Sequence, residues 1–258
     1  MKPISILAIG AHPGDPLDES AATLAKHARR GDDVTMVAIT HGAAFSQMIM
    51  YTRDQTPAAI KKAKSSLEEV KKVREKEFSN AAKILGVKCR IMGVEDPLMF
   101  EKKTLLAVVD LIRELRPTVI LTMSPHNIGH PDHSVASELV WRAAMLAEEA
   151  GIVTEHEPYK IDCRKVYFST NDVPERDARP DYLVDVSDTA NLRVDALFCL
   201  KTQYPRDEHR KWLELIHRDI GMSALAREGE DYGMETSIKY AEAFQHAFKR
   251  LPVDYIPS

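Results

Sequence analysis

Two short motifs carry histidine and aspartate side chains at spacings that suit a metal ion. The first, "HPGD" at residues 12–15, follows an apolar run at residues 4–10. The second, "HPDH" at residues 130–133, comes soon after another apolar run at residues 118–124. Imidazole nitrogens and carboxylate oxygens are normal Zn²⁺ donors, so the two motifs together predict a zinc site.

Five residues in these motifs are candidates for the site. A catalytic zinc ion usually has three protein ligands and one open position for water. His12, Asp15 and His133 are the candidate ligands of the metal. His130 would then face the substrate, and Asp132 would orient a histidine through a hydrogen bond, as ligand-supporting carboxylates commonly do.

Each candidate also has an ordinary structural explanation. A histidine at the end of a strand is often a hydrogen-bonded loop residue, and His41 has this ambiguity too. Asp15 stands before Pro16, where it would serve as a helix N-cap. The metal interpretation depends on the two motifs meeting in space.

The elements around the motifs alternate between strands and helices. Helix start and stop signals bracket the first helix, from Pro16 to Gly31, and the apolar periodicity sets the others. The predicted strands lie at 4–10, 33–40, 89–94, 118–124 and 165–170. Further helices are predicted at 58–85, 104–115 and 134–149. The C-terminal additions are segment 182–187, a helix through 191–203 and a last helix near 237–248.

This order predicts a Rossmann-like three-layer α/β/α sandwich with a mostly parallel sheet and C-terminal additions, formed by one domain over residues 1–258. In a doubly wound sheet of order 3-2-1-4-5, strands one and four are neighbours. Ligands bind in the crevice at the carboxyl ends of the strands where the order reverses. Both histidine motifs should therefore meet there.

Composition excludes several other classes of protein. The net charge of −4 and the absence of a basic block argue against a nucleic-acid partner, and no apolar run reaches the roughly 20 residues that span a bilayer. The three cysteines show no pairing pattern, which favours a reducing, cytoplasmic location. The first turn reads Gly10-Ala-His-Pro-Gly14 rather than G-x-G-x-x-G, so a dinucleotide site is not expected.

Weaker segments accompany the two motifs in an order typical of one enzyme family. "AITHG" (38–42) matches its T-x-G segment, "REKEFSNAAKILGV" (74–87) its R-x-x-E and A-A-x-x-L-G-V pattern, and "YLVDVSD", "VDALFCLKTQ" and "YAEAF" its C-terminal pattern. Over nearly its whole length the chain resembles the PIG-L (LmbE-like) family of zinc-dependent N-deacetylases. The resemblance implies that His12, Asp15 and His133 bind zinc, that His130 polarises the substrate carbonyl, and that Asp132 holds a histidine in the required tautomer.

Further roles also follow from the resemblance. Arg74 and Asp96 are the candidate substrate-binding residues. Arg193 would replace a lysine that some members keep, with the charge retained and the ammonium geometry lost. The implied partner is a small N-acyl substrate, and the family suggests a homo-oligomer.

The sequence departs from the family at one position. The family's H-P-D-D motif has the general base as its first aspartate, and here that position is Gly14. General-base help is worth typically about 10²–10⁴-fold in rate. Asp18 and Glu19 are candidate replacements because they follow directly in the sequence.

Three hypotheses remain open. The leading one is a zinc-dependent hydrolase of the N-deacetylase type, in which zinc-bound water attacks the acyl carbon of a small N-acetyl substrate such as an amino sugar. The alternative is a degenerate member that binds metal and ligand with little or no turnover. The third is an altered reaction on the retained metal site, since Gly14 opens space beside the metal and the segment 43–57, with Met48 and Met50, would line that space as a lid.

Overall fold

The computed structural model of the chain describes residues 2–46, 57–162, 165–170, 180–203 and 240–247. Its strands are β1 (Ser5–Gly10), β2 (Asp33–Thr40), β3 (Lys88–Val94), β4 (Val119–Met123), β5 (Val166–Ser169), β6 (Tyr182–Asp185) and β7 (Ala241–His246). Its helices are α1 (Asp15–Arg30), α2 (Pro57–Leu85), α3 (Lys102–Leu115), α4 (Pro131–Leu146) and α5 (Ala190–Leu197), with a 3₁₀ turn at Ala43–Phe45.

The described strands form one sheet in the order β3-β2-β1-β4-β5-β7-β6. The pairs β3–β2, β2–β1, β1–β4 and β4–β5 are parallel, whereas β7 runs antiparallel to both β5 and β6. The predicted α/β class and the order 3-2-1-4-5 are therefore confirmed. The order of the strands in the sheet reverses between β1 and β4. The crevice predicted from the sequence therefore lies at the carboxyl ends of these two strands.

Both faces of the sheet are buried, which explains the continuous apolar runs of the central strands. Ile6 and Ala8 of β1 pack on the face covered by α1, α2 and α5. Leu7 and Ile9 pack on the opposite face, against α3 and α4. The sheet is thus held rigidly between two helical layers, and its strand ends are fixed platforms for loops.

The predicted last helix near residues 237–248 is wrong over its described part. Ala241–His246 forms β7, which inserts between β5 and β6. Its alanine and glutamate content favours a helix, but pairing with a strand on each side and burial of Phe244 override that weak local preference.

Two helix starts also differ from the sequence interpretation. α4 begins at Pro131, earlier than predicted, because His130 caps it: the His130 side chain accepts a hydrogen bond from the backbone N–H of Asp132. The N-cap of α1 is Gly14, and Asp15 is already helical. The capping explanation for Asp15 is therefore wrong, and its carboxylate has another role.

Among the residues that the structure describes, no helix combines the length and apolar character required to cross a membrane.

Candidate metal centre

The two histidine motifs meet at the carboxyl ends of β1 and β4. These strands are hydrogen-bonded neighbours, with Ile9 in register with Thr122. The ring centroids of His12 and His133 are 5.7 Å apart, and those of His12 and His130 are 4.8 Å apart. The topology thus brings together residues separated by more than a hundred positions, as the sequence predicts.

His12 lies between two carboxylates. Its Nε2 donates to Asp132 Oδ2 over 3.2 Å, while its Nδ1 is 3.4 Å from Asp15 Oδ2. Asp132 is fixed in turn by the backbone N–H of Leu98, which donates to the same oxygen over 2.9 Å. When the ring is neutral, this arrangement favours the proton on Nε2, which leaves the Nδ1 lone pair facing Asp15 and available to a metal.

His133 is oriented in the same way by Asn127. Nδ1 of His133 donates to Asn127 Oδ1 over 2.9 Å, and the backbone N–H of Gly129 donates to the same oxygen over 2.9 Å. The amide nitrogen of Asn127 donates to Glu19 Oε1 at 3.4 Å, which fixes which end of the amide faces the histidine. The Nε2 lone pair of His133 therefore points toward Asp15.

Each of the two imidazoles faces a different oxygen of Asp15, at a separation close to that between neighbouring ligands of one metal ion. His133 Nε2 is 3.4 Å from Asp15 Oδ1, the same separation as between His12 Nδ1 and Asp15 Oδ2. Bonds about 2.0 Å long at tetrahedral angles separate neighbouring ligand atoms by roughly 3.3 Å. Each imidazole has one nitrogen held by a hydrogen-bond partner and the other facing Asp15.

His130 offers a further ring nitrogen to a metal ion held by His12 and His133. The ligand atoms of His12, His130 and His133 all lie within 4.8 Å of one another. Nδ1 of His130 accepts the hydrogen bond from the N–H of Asp132, so Nε2 carries the ring proton in the neutral form. The ring is partly exposed and packs edge-on against Phe45, with centroids 4.2 Å apart. It can either ligate a metal or donate a hydrogen bond to a substrate oxygen.

The charges of the cluster favour a cation. Burial works to lower the pKa of His12, but Asp15 and Asp132 outweigh it and raise the pKa to about 9. Burial likewise works to raise the pKa of Asp15, yet His12 and His133 hold it far below its usual range. Burial and the charges of His12 and His133 lower the pKa of His130, which is therefore neutral near pH 7.

Arg74 and Asp96 hold the loop that covers His12. Nη1 of Arg74 donates to the carbonyls of His41 and Gly42 over 2.9 and 2.6 Å. Asp96 accepts from the backbone N–H groups of Gly42 and Ala44 over 3.1 and 3.2 Å. Gly42 has φ of +61° and a Cβ there would be 2.9 Å from His12 Cδ2, so this close approach requires glycine.

Arg74 is also a buried positive charge beside the cluster. Its side chain is only 6% exposed, and its Nε has no hydrogen-bond partner among the described residues. Burial lowers the pKa of Arg74, while Glu77, Asp96 and Asp15 act in the opposite direction. The substrate contact predicted for Arg74 stays a prediction.

Gly14 faces a side chain from the C-terminal part of the chain. A Cβ built on Gly14 would be 2.6 Å from Oε1 and 2.9 Å from Nε2 of Gln203. The space that a side chain at position 14 would occupy is therefore filled by a carboxamide.

Two other residues named from the sequence, Arg193 and His41, pair with residues outside the metal cluster. Arg193 pairs with Glu242 over 3.4 Å and donates to the carbonyl of Asp18, so it braces α1 rather than the cluster. His41 pairs with the exposed Glu75 over 2.9 Å. Residues 47–56, which include the proposed lid residues, lie outside the described part of the chain.

Sequence reasoning missed Asn127 and Gln203. Asn127 lies three residues before the second motif, in a segment quoted as part of the family pattern, and an amide near a candidate histidine ligand was the available signal. Gln203 is the last residue of "VDALFCLKTQ", a segment of the family's C-terminal pattern, but its contact with Gly14 has no signal in one sequence.

Relatives of this chain catalyse more than one reaction. A 4-oxalmesaconate hydratase from Pseudomonas putida strain KT2440 is 26% identical over 257 residues, covering 96% of this chain and 90% of the relative. A diacetylchitobiose deacetylase from Thermococcus kodakarensis is 26% identical over 250 residues, covering 93% of this chain and 82% of the relative. A crystal structure of a 4-carboxy-2-hydroxymuconate hydratase from P. putida KT2440 shares the fold, with a TM-score of 0.77, 23% identity and coverage of 98% and 100%.

The family assignment comes from the part of the chain that carries both histidine motifs. The PIG-L family, described as GlcNAc-PI de-N-acetylase, matches residues 7–144, which is more than half of the 258 residues. This match spans β1 to α4 and so includes both strand ends that form the cluster. The chain belongs to the PIG-L family of enzymes.

Proposed function

We propose that this chain is a metal-dependent hydratase, which adds water across a carbon–carbon double bond of a small unsaturated carboxylate. The single observation that carries this proposal is position 14, where Gly14 has no carboxylate and Gln203 presents a neutral amide instead. The site retains the donors for a metal and lacks the proton acceptor that the family resemblance expects beside it.

The two reactions place different demands on that acceptor. Amide hydrolysis must remove a proton from water and deliver one to the leaving amine, so a carboxylate that exchanges protons is central to it. Hydration of a double bond has no leaving group, and its proton goes to carbon. Both reactions take a proton from water, but hydration delivers it to a substrate carbon, so a site without the carboxylate at position 14 needs no group there that protonates a leaving amine.

The residues have the following roles in this proposal. His12, Asp15 and His133 hold Zn²⁺, with Asp132 and Asn127 orienting the two rings; when bound, the ion supplies a Lewis acid that activates water and polarises an oxygen. His130 donates its Nε2–H to a substrate carbonyl or carboxylate oxygen on which charge develops.

Arg74 contributes a buried positive charge that favours an anionic substrate. Its guanidinium donates to the backbone carbonyls of His41 and Gly42, while the carboxylates of Glu77, Asp96 and Asp15 act on it electrostatically. The family relative that hydrates 4-oxalmesaconate supports the same substrate class, since it aligns with 96% of this chain.

The second candidate is the hydrolysis of a small N-acyl substrate such as an N-acetylated amino sugar. The family match and the diacetylchitobiose deacetylase support it. His130 would then stabilise the oxyanion of the attacked carbonyl, and a carboxylate other than one at position 14 would accept the proton. Asp18 and Glu19 stay the sequence-based candidates, although Glu19 is buried and bonded to Asn127.

One assay separates the candidates. The zinc-loaded protein is incubated with 4-oxalmesaconate and, separately, with N,N′-diacetylchitobiose, following the loss of conjugated absorbance and the release of free amine. We expect turnover of the unsaturated carboxylate that His130→Ala lowers by at least about a hundredfold. Amine release without hydration would instead support the deacetylase.

Inactivity on both compounds would support the degenerate alternative if Gly14→Asp then gains amine release. The cytoplasmic location, the homo-oligomeric assembly, and the single domain over residues 1–258 stay predictions.

A further inference from the structure

Gly14 is not required by the backbone at its position. Its φ of −70° and ψ of −34° are ordinary right-handed helical values that any residue adopts. What the glycine provides is space, because a Cβ would approach Gln203 Oε1 within 2.6 Å. The end of the Gln203 side chain therefore occupies the space beside Gly14, although the two positions are 189 apart in the chain.

The backbone that carries Gln203 is held in place. The carboxylate of Glu77 accepts from the N–H of Thr202 over 2.9 Å and from its hydroxyl over 2.6 Å. The N–H of Gln203 donates to the carbonyl of Leu200 over 2.9 Å. Glu77 is 7% exposed, so this clamp lies in the interior of the protein. The backbone from which the Gln203 side chain extends is thus set by the fold.

One turn of α2 supports both sides of the site. Arg74 holds the carbonyls of the loop at Gly42, which packs on His12. Glu77, three residues later and on the same helix face, holds Thr202. The loop over the metal ligand and the segment that delivers the carboxamide are therefore positioned by the same rigid element.

We propose that the carboxamide of Gln203, seated in the space that Gly14 leaves open, is a substrate-positioning group of this site. Its Nε2–H₂ donates to a carboxylate or carbonyl oxygen of the substrate, and its Oε1 accepts. The group stays neutral, so it binds and orients substrate without exchanging protons. The inference rests on the proposed function for the substrate class, an unsaturated carboxylate.

The first test needs neither metal nor turnover. In the metal-free protein, the side-chain amide resonances of Gln203 are identified by their loss in Gln203→Ala and followed by NMR. Gly14→Ala must shift them, because the new methyl group displaces the amide. Gly151→Ala is the matched control, since a Cβ there meets nothing within 4 Å, and should leave them unchanged. Unshifted resonances in Gly14→Ala would overturn the pairing.

The second test addresses substrate positioning. Fumarate, a simple unsaturated dicarboxylate, is titrated into the zinc-loaded protein. We expect the Gln203 amide resonances to shift with occupancy, and the apparent Kd to rise about tenfold in Gln203→Ala, the loss expected for one hydrogen bond to a charged group. An equal Kd in the wild-type protein and Gln203→Ala would refute the role. Gln203→Ala only removes atoms, so it avoids the overpacking risk of Gly14→Ala.

A double-mutant cycle then distinguishes a functional pair from two independent residues. With 4-oxalmesaconate, Gly14→Ala and Gln203→Ala should each raise KM about tenfold, and the double variant should match either single change. The exposed Lys201→Ala serves as the control from the same segment. Additive effects would contradict the proposal. If neither compound is turned over, the proposed function fails, while the NMR tests still decide the role of Gln203.

Discussion

Zinc binding should displace one proton from His12, and the structure gives the size of this effect. His12 is buried between Asp15 and Asp132, which raise its pKa to about 9 against the lowering effect of burial. A metal-free protein at pH 7 therefore holds His12 as a cation. Because a metal ligand must present a neutral imidazole, the proton competes with the ion.

The magnitude follows from the distance between pH 7 and the pKa. At about 1.36 kcal/mol per unit, two units cost zinc binding about 2.7 kcal/mol, or roughly a hundredfold in affinity. The apparent affinity should fall about tenfold for each unit of pH between 9 and 7. His130 adds nothing to this slope, because its pKa is lowered and the ring is already neutral.

Isothermal titration calorimetry with Zn²⁺ at pH 7, in two buffers of different ionisation enthalpy, measures the protons released. Asp132→Asn removes one of the charges that raise the pKa of His12, so it should release fewer protons than the wild-type protein. Glu75→Gln removes an exposed carboxylate that pairs with His41 instead, and should leave the number unchanged. Equal proton release by wild-type protein and Asp132→Asn would show that the carboxylate does not set the charge of His12.

Three further outcomes are expected. The metal-free protein should lose stability as the pH rises through 9. The stabilisation from protonated His12 is fully present below the ordinary pKa of 6.5 and disappears above the folded-state pKa of about 9. Thermal melts of His12→Gln should lack this pH-dependent loss of stability. His130→Ala should retain zinc by elemental analysis whereas Asp15→Ala loses it, and the reverse would make His130 the third ligand. Glu242→Gln should lower the free energy of unfolding by about 3–5 kcal/mol in urea, because it leaves the buried guanidinium of Arg193 without its charged partner. An unchanged free energy of unfolding would show that this ion pair does not stabilise the fold.

The sequence predicts the central fold and the place of the cluster because both follow from local patterns. Alternating apolar runs and caps specify the strands from β1 to β5, and the parallel order then forces His12 and His133 together. The strand β7 escapes prediction because its alanine and glutamate residues favour a helix locally, and only its partners β5 and β6 make it extended.

The contacts that complete the site depend on long-range packing, which one sequence does not encode visibly. Asn127 orients His133 only because the loop after β4 folds back on itself. Gln203 reaches Gly14 because α5 packs against α1 and Glu77 anchors the following segment. The family resemblance therefore directs attention to position 14, but one sequence does not reveal that Gln203 lies beside it.

The charges of the cluster explain how the reaction can change while the metal site persists. Asp15, Asp96 and Asp132 surround His12, and in the metal-free protein a proton on that ring offsets part of their charge. In the proposed site a divalent cation replaces the proton and balances the same carboxylates. Compared with the aspartate of the family motif, glycine at position 14 leaves one negative charge fewer beside the ion and keeps all the proposed ligands. In the function proposed for this chain, position 14 is where a substrate-binding group stands in place of a proton-transferring one while the metal donors are kept.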